Sequence, residues 1–159
     1  GAFFLFDMVR PGLGLYGGNP IPNNSNPYTT VASLSAKVIQ IREIEIGETV
    51  GYGASFTATK PSRLAIIAVG YADGLIRAMG PHGQAAIDGI RVPYAGRISM
   101  DLTVLDVTEI AADRCARGTE VELLGRTISL EGFALAAGTN SHEVLTSLSK
   151  RVSHAYVGG

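Results

Sequence analysis

Four short segments combine glycines with polar side chains that can bind ligands or transfer protons. In VGYGASF, Tyr52 stands between two glycines and has little cover from neighbouring side chains. This favours a phenol that another molecule can approach closely, although an aromatic residue at a strand end beside a bulge gives the same pattern. In VRPGLGLYG, Arg10 precedes Gly12 and Leu13, whose free amide groups can cradle an anion such as a phosphate. A surface turn with a solvated arginine is the other interpretation of that segment.

The other two segments lie at apolar strands. In VGYADG, Tyr71 comes directly after a continuous apolar run, and Arg77 lies six residues further on. In AGRISMD, Arg97 and Asp101 flank a short apolar stretch. That spacing predicts either an ion pair between the two side chains or a backbone amide that holds a carboxylate. Taken alone, the Tyr71 segment is also explained as a simple turn, and a purely structural ion pair explains the Arg97 segment equally well.

Metal and cysteine chemistry find little support in the sequence. His82, His142 and His154 lie far apart and lack the spacing of metal ligands, so we expect no metal site. Cys115 is the only cysteine, which excludes an intramolecular disulfide and a cysteine-rich zinc site. The arginines near it favour a lowered thiol pKa, but no base stands beside it in sequence, and we expect it to be inert.

The composition argues against several classes of protein. The chain has 159 residues, 46% hydrophobic and 17% charged, with a net charge of -1. The apolar share argues for a folded core and against disorder, and the balanced charge argues against nucleic-acid binding. No stretch reaches the roughly 18 apolar residues of a membrane-spanning helix, and residues 1–6 are too short, without a basic flank, for a signal peptide. We therefore expect a soluble, cytoplasmic protein with no membrane or nucleic-acid partner.

The elements that must position these residues are mainly strands. Short strands closed by glycine turns favour a small closed or partly open, Greek-key-like β-barrel. The Asp-Gly pair at 88–89 predicts a type I′ hairpin. The apolar run at 64–69 predicts a strand that is buried on both faces. The full set of predicted strand regions is 38–46, 64–69, 85–92 as a hairpin, 102–107, 120–124 and 153–157.

Two short helices are predicted near the C-terminus. Ser129 can cap a helix over residues 130–137, and Gly138 is placed to end it. Asn140 and Glu143 have the spacing of a capping box, which predicts a second helix after the first.

The segments taken together resemble one enzyme family. Two further motifs, GTEVELLG and the C-terminal EVLTSL, follow the four segments. Taken in this order, all six resemble the C-terminal part of bacterial alanine racemases, which are fold-type III enzymes that use pyridoxal 5′-phosphate (PLP). The resemblance runs nearly end to end. It implies that residues 1–27, which end in an asparagine- and proline-rich connector, are the C-terminal remnant of the PLP-binding α/β barrel plus a linker. Residues 28–159 would then form the family's C-terminal β-domain.

The resemblance implies a catalytic role for Tyr52. This residue matches the tyrosine that reaches into the partner subunit's active site and removes the α-proton of the L-enantiomer, while a lysine works on the opposite face. Racemisation needs a base on each face of a planar carbanion. Because a phenol ordinarily has a pKa near 10, it needs positive charge nearby to act at neutral pH. In the family that charge comes from a barrel residue.

Binding roles carry over to further residues. Arg10 matches the arginine that faces the PLP pyridine nitrogen, where a cation disfavours protonation of the ring and weakens it as an electron sink. Gly12 and Leu13 match the backbone donors to the PLP phosphate. Met100 matches the residue whose backbone N–H binds the substrate carboxylate, with Asp101 beside it. Three further residues match the lining of the entry channel near the dimer interface, namely Tyr71, Arg77 and Arg97.

The chain also departs from the family's pattern. The lysine that holds PLP covalently stands in a segment like KANAYGHG, and none of Lys37, Lys60 and Lys150 has that context. The chain therefore resembles a fragment, which we expect to be inactive alone. Lys150 stands where some members have a tyrosine that helps to bind the cofactor phosphate. The stretch at residues 4–7 is shorter than the family's usual loop.

The resemblance implies part of a PLP-dependent alanine racemase that interconverts L- and D-alanine and so supplies D-alanine for peptidoglycan. Its expected partners are an N-terminal PLP barrel, a second subunit in a homodimer with shared active sites, and a small amino-acid substrate. Two alternatives stay open. One is a broad-specificity or serine racemase domain, because the missing barrel supplies part of the substrate pocket. The other is a non-catalytic β-domain that serves dimerisation.

Overall fold

The fold is a nearly closed antiparallel β-barrel with two helices. The computed structural model describes residues 6–21 and 24–157. Its strands are β1 (Leu34–Ile44), β2 (Thr49–Val50), β3 (Phe56–Thr57), β4 (Ser62–Ile67), β5 (Gln84–Ile87), β6 (Ile90–Pro93), β7 (Thr103–Asp106) and β8 (Glu120–Leu124). Six of them form one sheet in the order β6-β5-β8-β1-β4-β7, and β2 pairs with β3 as a separate hairpin.

An isolated bridge between Tyr94 and Leu105 brings the two edges of the sheet together. Tyr94 directly follows β6, and Leu105 lies in β7, so the first and last strands of the sheet meet there. Such closure reduces the exposed strand edge. The predicted mainly β, partly open barrel is thereby confirmed.

Strand β4 is central and is buried on both faces, as its sequence predicts. It lies between β1 and β7, and its consecutive residues Leu64 and Ala65 are both buried. The two side chains point to opposite faces of the sheet, so both faces must be covered. Ile67 belongs to the main core, which also contains Phe133 and Val144 from the helices.

The hairpin between β5 and β6 confirms the type I′ prediction. Ile87 pairs with Ile90, and the two residues between them have positive φ, 49° at Asp88 and 77° at Gly89. These are the backbone values that the type I′ turn requires.

The helices begin and end where their caps place them. Helix α1 spans Leu130–Ala137; the Ser129 hydroxyl accepts from the Gly132 N–H at 3.1 Å, and Gly138 has a φ of 69°. Helix α2 spans Ser141–Ser147, and the Asn140 side chain accepts from the N–H groups of the next turn. Within residues 6–21 and 24–157, neither these helices nor any other is long and apolar enough to cross a membrane.

Two strand predictions need correction. Residues 153–157 form no strand, and they are exposed throughout, Tyr156 by 96%. Strand β1 starts four residues earlier than predicted, at Leu34, because residues 34–37 pair with β8, and it ends before Ile46, which lies in a turn.

The segment before the barrel is anchored at a few points. A 3-10 helix spans Gly12–Tyr16, and Leu13 packs against the main core. The Asn19 N–H donates to Glu131 of α1 at 2.6 Å. Phe6, Met8 and Val9 are exposed. The prediction of a short loop at residues 4–7, and that of no signal peptide at residues 1–6, lie partly outside the described residues.

Candidate active site

The hairpin of β2 and β3 presents Tyr52 at its tip. Gly51 and Gly53, on either side of it, have φ values of 78° and 69°, which favour glycine. Ala54 follows at 48°, and its N–H donates to the Gly51 carbonyl at 3.2 Å. The turn therefore requires the two glycines, and it leaves the Tyr52 side chain 72% exposed.

This hairpin is held against the loop that contains Arg97. The Arg97 N–H donates to the Ser55 hydroxyl at 3.1 Å. A Cβ at Gly53 would lie 3.7 Å from a guanidinium nitrogen of Arg97, and a Cβ at Gly96 would lie 3.2 Å from the Val50 carbonyl oxygen. The structure therefore brings the predicted base and one predicted entry-channel residue together.

The Tyr71 and Met100 segments are joined by two backbone hydrogen bonds. The Tyr71 N–H donates to the Ser99 carbonyl and the Ala72 N–H to the Met100 carbonyl, both at 3.0 Å. Gly70 makes this approach possible, since a Cβ there would lie 2.3 Å from the Met100 carbonyl oxygen. Tyr71 itself is exposed and begins a 3-10 helix, Tyr71–Asp73.

These hydrogen bonds also fix the direction of the Met100 amide. The described peptide bonds include no cis bond, and in a trans peptide the C=O and N–H groups point in opposite directions. Because the Ser99 carbonyl faces Tyr71, the Met100 N–H of the same peptide faces away from it. Ser99 and Leu102 close the loop, as the Leu102 N–H donates to the Ser99 hydroxyl at 3.0 Å. The result is an exposed amide on a constrained loop.

The predicted ion pair between Arg97 and Asp101 is not formed. Asp101 instead accepts from the Arg151 guanidinium at 2.6 Å, and Arg151 Nε also lies 3.2 Å from Asp73. Arg97 is held at the β2–β3 hairpin, whereas Asp101 faces the C-terminal segment. The hydrogen bond with Asp101, followed by the charge of Asp73, raises the pKa of Arg151. The sequence alone does not single out Arg151, because its partners lie 78 and 50 positions away.

The N-terminal candidates form a second group. Arg10 is exposed, and Gly12 has a φ of 54° with open space where a side chain would stand. Among the described residues, the backbone N–H groups of Gly12 and Leu13 donate to no backbone carbonyl. Within the same ranges, no hydrogen bond or ion pair joins this group to the Tyr52 hairpin.

The remaining candidates are exposed cationic side chains. Arg77 is exposed at the start of a 3-10 helix, Arg77–Met79, and Lys150 is exposed in the C-terminal segment. Lys60 pairs with Glu109, which raises its pKa through a hydrogen bond and then through charge.

Cys115 is fully buried rather than lying in a cationic surface environment. Burial raises the pKa of its thiol, against the opposing charge of Arg63. The lowered pKa suggested by its sequence neighbours is therefore wrong. In the part of the chain that the structure describes, no group of three or more His, Cys, Asp or Glu side chains is placed to hold a metal ion.

Comparison with known proteins points to one family. Residues 31–156 match the family model for the alanine racemase C-terminal domain. An alanine racemase of Methylobacterium nodulans is 44% identical over 153 residues, which are 96% of this chain and 41% of that protein. The catabolic alanine racemase of Agrobacterium fabrum is 44% identical over 150 residues, 94% of this chain and 39% of that protein.

Solved structures agree with the sequence comparison. The crystal structure of alanine racemase from Bartonella henselae with covalently bound PLP superposes with a TM-score of 0.91 at 41% identity, covering 99% of this chain and 44% of that one. The crystal structure of the biosynthetic alanine racemase from Pseudomonas aeruginosa superposes with a TM-score of 0.87 at 35% identity, covering 92% of this chain and 41% of that one. The chain thus spans less than half the length of these relatives.

Proposed function

Because the chain belongs to the alanine racemase family, as its C-terminal domain, we propose that it is part of a PLP-dependent enzyme that interconverts L- and D-alanine. In this proposal residues 28–159 supply the base for the L-alanine face to a partner subunit, and residues 1–27 end an N-terminal PLP barrel. The D-alanine formed would serve peptidoglycan synthesis in the cytoplasm. The observation that carries the proposal is the phenol of Tyr52, exposed at the tip of a glycine-constrained hairpin.

Tyr52 is suited to accept a proton from a molecule held outside this domain. Its side chain projects from the barrel, and its backbone is fixed by the turn and by the hydrogen bond between Ser55 and Arg97. A fixed backbone lowers the entropic cost of placing the phenol oxygen beside a substrate α-carbon. In this proposal the positive charge that the proton transfer needs comes from a residue of the neighbouring barrel.

The Met100 amide is suited to bind the substrate carboxylate. Its N–H points away from the Tyr71 helix, and within the described ranges it donates to no other backbone group. A backbone donor on a constrained loop binds an anion with little reorganisation. We propose that this contact holds the substrate carboxylate so that the α-proton faces Tyr52.

The N-terminal group fits the phosphate of PLP. Within the described ranges the N–H groups of Gly12 and Leu13 donate to no backbone carbonyl, and the space beside the Gly12 Cα is open, while the Leu13 side chain packs against the main core. Arg10 is free to turn toward the pyridine nitrogen. When bound, PLP withdraws electrons from the substrate α-carbon and so acidifies its C–H bond. Lys60 forms an ion pair with Glu109. We propose that the lysine that links PLP comes instead from the N-terminal barrel.

The test is turnover by the full-length protein that contains this chain. We expect racemisation of alanine to exceed that of serine and lysine, and Tyr52→Phe to lower it by about 10²- to 10⁴-fold. Tyr156→Phe is the matched control, because Tyr156 is also solvent-exposed but lies in the C-terminal segment. Unchanged turnover in Tyr52→Phe would support a non-catalytic β-domain, and faster turnover of serine or lysine would support a broader racemase.

A further inference from the structure

Arg151 joins segments of the candidate site that are far apart in sequence. Its Nε lies 3.2 Å from Asp73 and its Nη2 lies 2.6 Å from Asp101. We propose that Arg151 is a positioning residue for the substrate carboxylate, because by holding both aspartates it stabilises the two segments whose backbone hydrogen bonds set the direction of the Met100 amide. The proposal rests on the racemase function proposed above and adds a residue that touches neither substrate nor cofactor.

Asp73 is the partner that most needs Arg151. Its side chain is only 14% exposed. One carboxylate oxygen accepts from the Gly70 N–H at 2.9 Å, and the Asp73 carbonyl accepts from the Ser149 N–H at 3.1 Å. A largely buried carboxylate is costly without a cation. Among the described residues, Arg151 supplies the one cationic group within 4 Å of it.

Asp101 adds the second attachment, on the Met100 segment. It directly follows Met100, whose carbonyl accepts from Ala72. Asp73 directly follows Ala72. The guanidinium therefore bridges the Tyr71 and Met100 segments immediately beyond the backbone hydrogen bonds that join them. With that bridge in place, the Ser99–Met100 peptide is ordered before a substrate arrives, and less entropy is lost on binding.

This arrangement predicts an effect on binding in addition to the cost in folding stability of leaving Asp73 without its cation. Arg151 and Asp101 are each about half exposed, at 53% and 54%, and exposed ion pairs contribute little to overall stability. The segments that they join, however, carry the proposed carboxylate donor. Loss of the bridge would leave the barrel folded and the Met100 amide held only by the two backbone hydrogen bonds to the Tyr71 segment.

The experiment compares Arg151→Gln, Arg151→Lys and the unmutated full-length protein. For Arg151→Gln we expect KM for L-alanine to rise by about threefold to tenfold, with kcat within about twofold. The inhibition constant of propionate, which keeps the carboxylate of alanine and lacks its amine, should rise by the same factor. Arg151→Lys should fall between the two, since one ammonium replaces only part of a fork.

Arg114→Gln is the matched control, because it breaks an ion pair with Asp88 at the β5–β6 turn that is about as exposed as the pair of Arg151 with Asp101. It should leave KM and propionate inhibition unchanged. A fall in thermal stability of Arg151→Gln with unaltered KM and propionate inhibition would overturn the positioning role, and so would Arg151→Lys behaving like Arg151→Gln. Failure of the unmutated protein to racemise alanine would overturn the proposed function as well, so the two failures are distinguishable.

Discussion

Gly70→Ala tests how closely the Tyr71 and Met100 segments must approach. The φ of Gly70 is -148°, an extended value that alanine adopts without strain. The cost is therefore steric. The added Cβ would lie 2.3 Å from the Met100 carbonyl oxygen and 2.4 Å from the Ser99 carbonyl oxygen, and both are backbone atoms that cannot rotate aside.

The expected magnitude follows from these distances. Relief of the two contacts requires the loop to move by about 1 Å to reach ordinary van der Waals separation. Overpacking of this kind costs about 1–3 kcal/mol in the free energy of unfolding, and weakening of the two backbone hydrogen bonds adds about 1 kcal/mol. A displacement of about 1 Å in a substrate-binding group lowers kcat/KM by as much as about a hundredfold.

The assay is steady-state racemisation by the full-length protein, together with thermal unfolding to confirm that the variant is folded. Gly132→Ala is the control, because Gly132 is an exposed residue of helix α1 and an added Cβ would have only the Ser129 hydroxyl nearby, at 3.2 Å. The control should change stability by no more than about 1 kcal/mol and leave activity unchanged. Gly70→Ala with kcat/KM within twofold of the unmutated protein would refute the reasoning.

Two further predictions concern the core. The Tyr94 hydroxyl is buried with no hydrogen-bond partner in the described part of the chain, so Tyr94→Phe should raise the free energy of unfolding by about 1 kcal/mol; a lower melting temperature would contradict this. Burial raises the folded-state pKa of Cys115 above the usual 9.0, so its contribution to stability is complete below about pH 9 and is lost as pH rises toward the folded-state value. Denaturant unfolding of Cys115→Ala should show a shallower decline above pH 9, and an unchanged slope would contradict the assignment.

Local signals predicted most of the fold. The Asp-Gly pair at 88–89 predicts its hairpin because few residue pairs tolerate two positive φ values in succession. Ser129 and Gly138 predict both ends of α1, because capping involves only neighbouring residues. The β2–β3 hairpin was visible in sequence only as two glycines around Tyr52, and its positive φ values give those glycines a physical reason.

The remaining features depend on contacts between distant residues. Arg97 and Asp101 are close in sequence, yet Asp101 pairs with Arg151, which only the folded chain brings near. Residues 153–157 are predicted to form a last strand, but they pair with no strand in the part of the chain that the structure describes. Gly70 was part of a noted motif, but its contact with the Ser99 and Met100 carbonyls depends on the barrel.

Exchange of the alanine α-proton with deuterium from D₂O tests the central claim most directly. NMR detects the exchange. Full-length protein with intact Tyr52 should exchange this proton in both enantiomers. Tyr52→Phe should lose exchange from L-alanine and retain exchange from D-alanine, because the base on the other face is untouched. Exchange of L-alanine by Tyr52→Phe at the unmutated rate would contradict the assignment of Tyr52 as the base for that face.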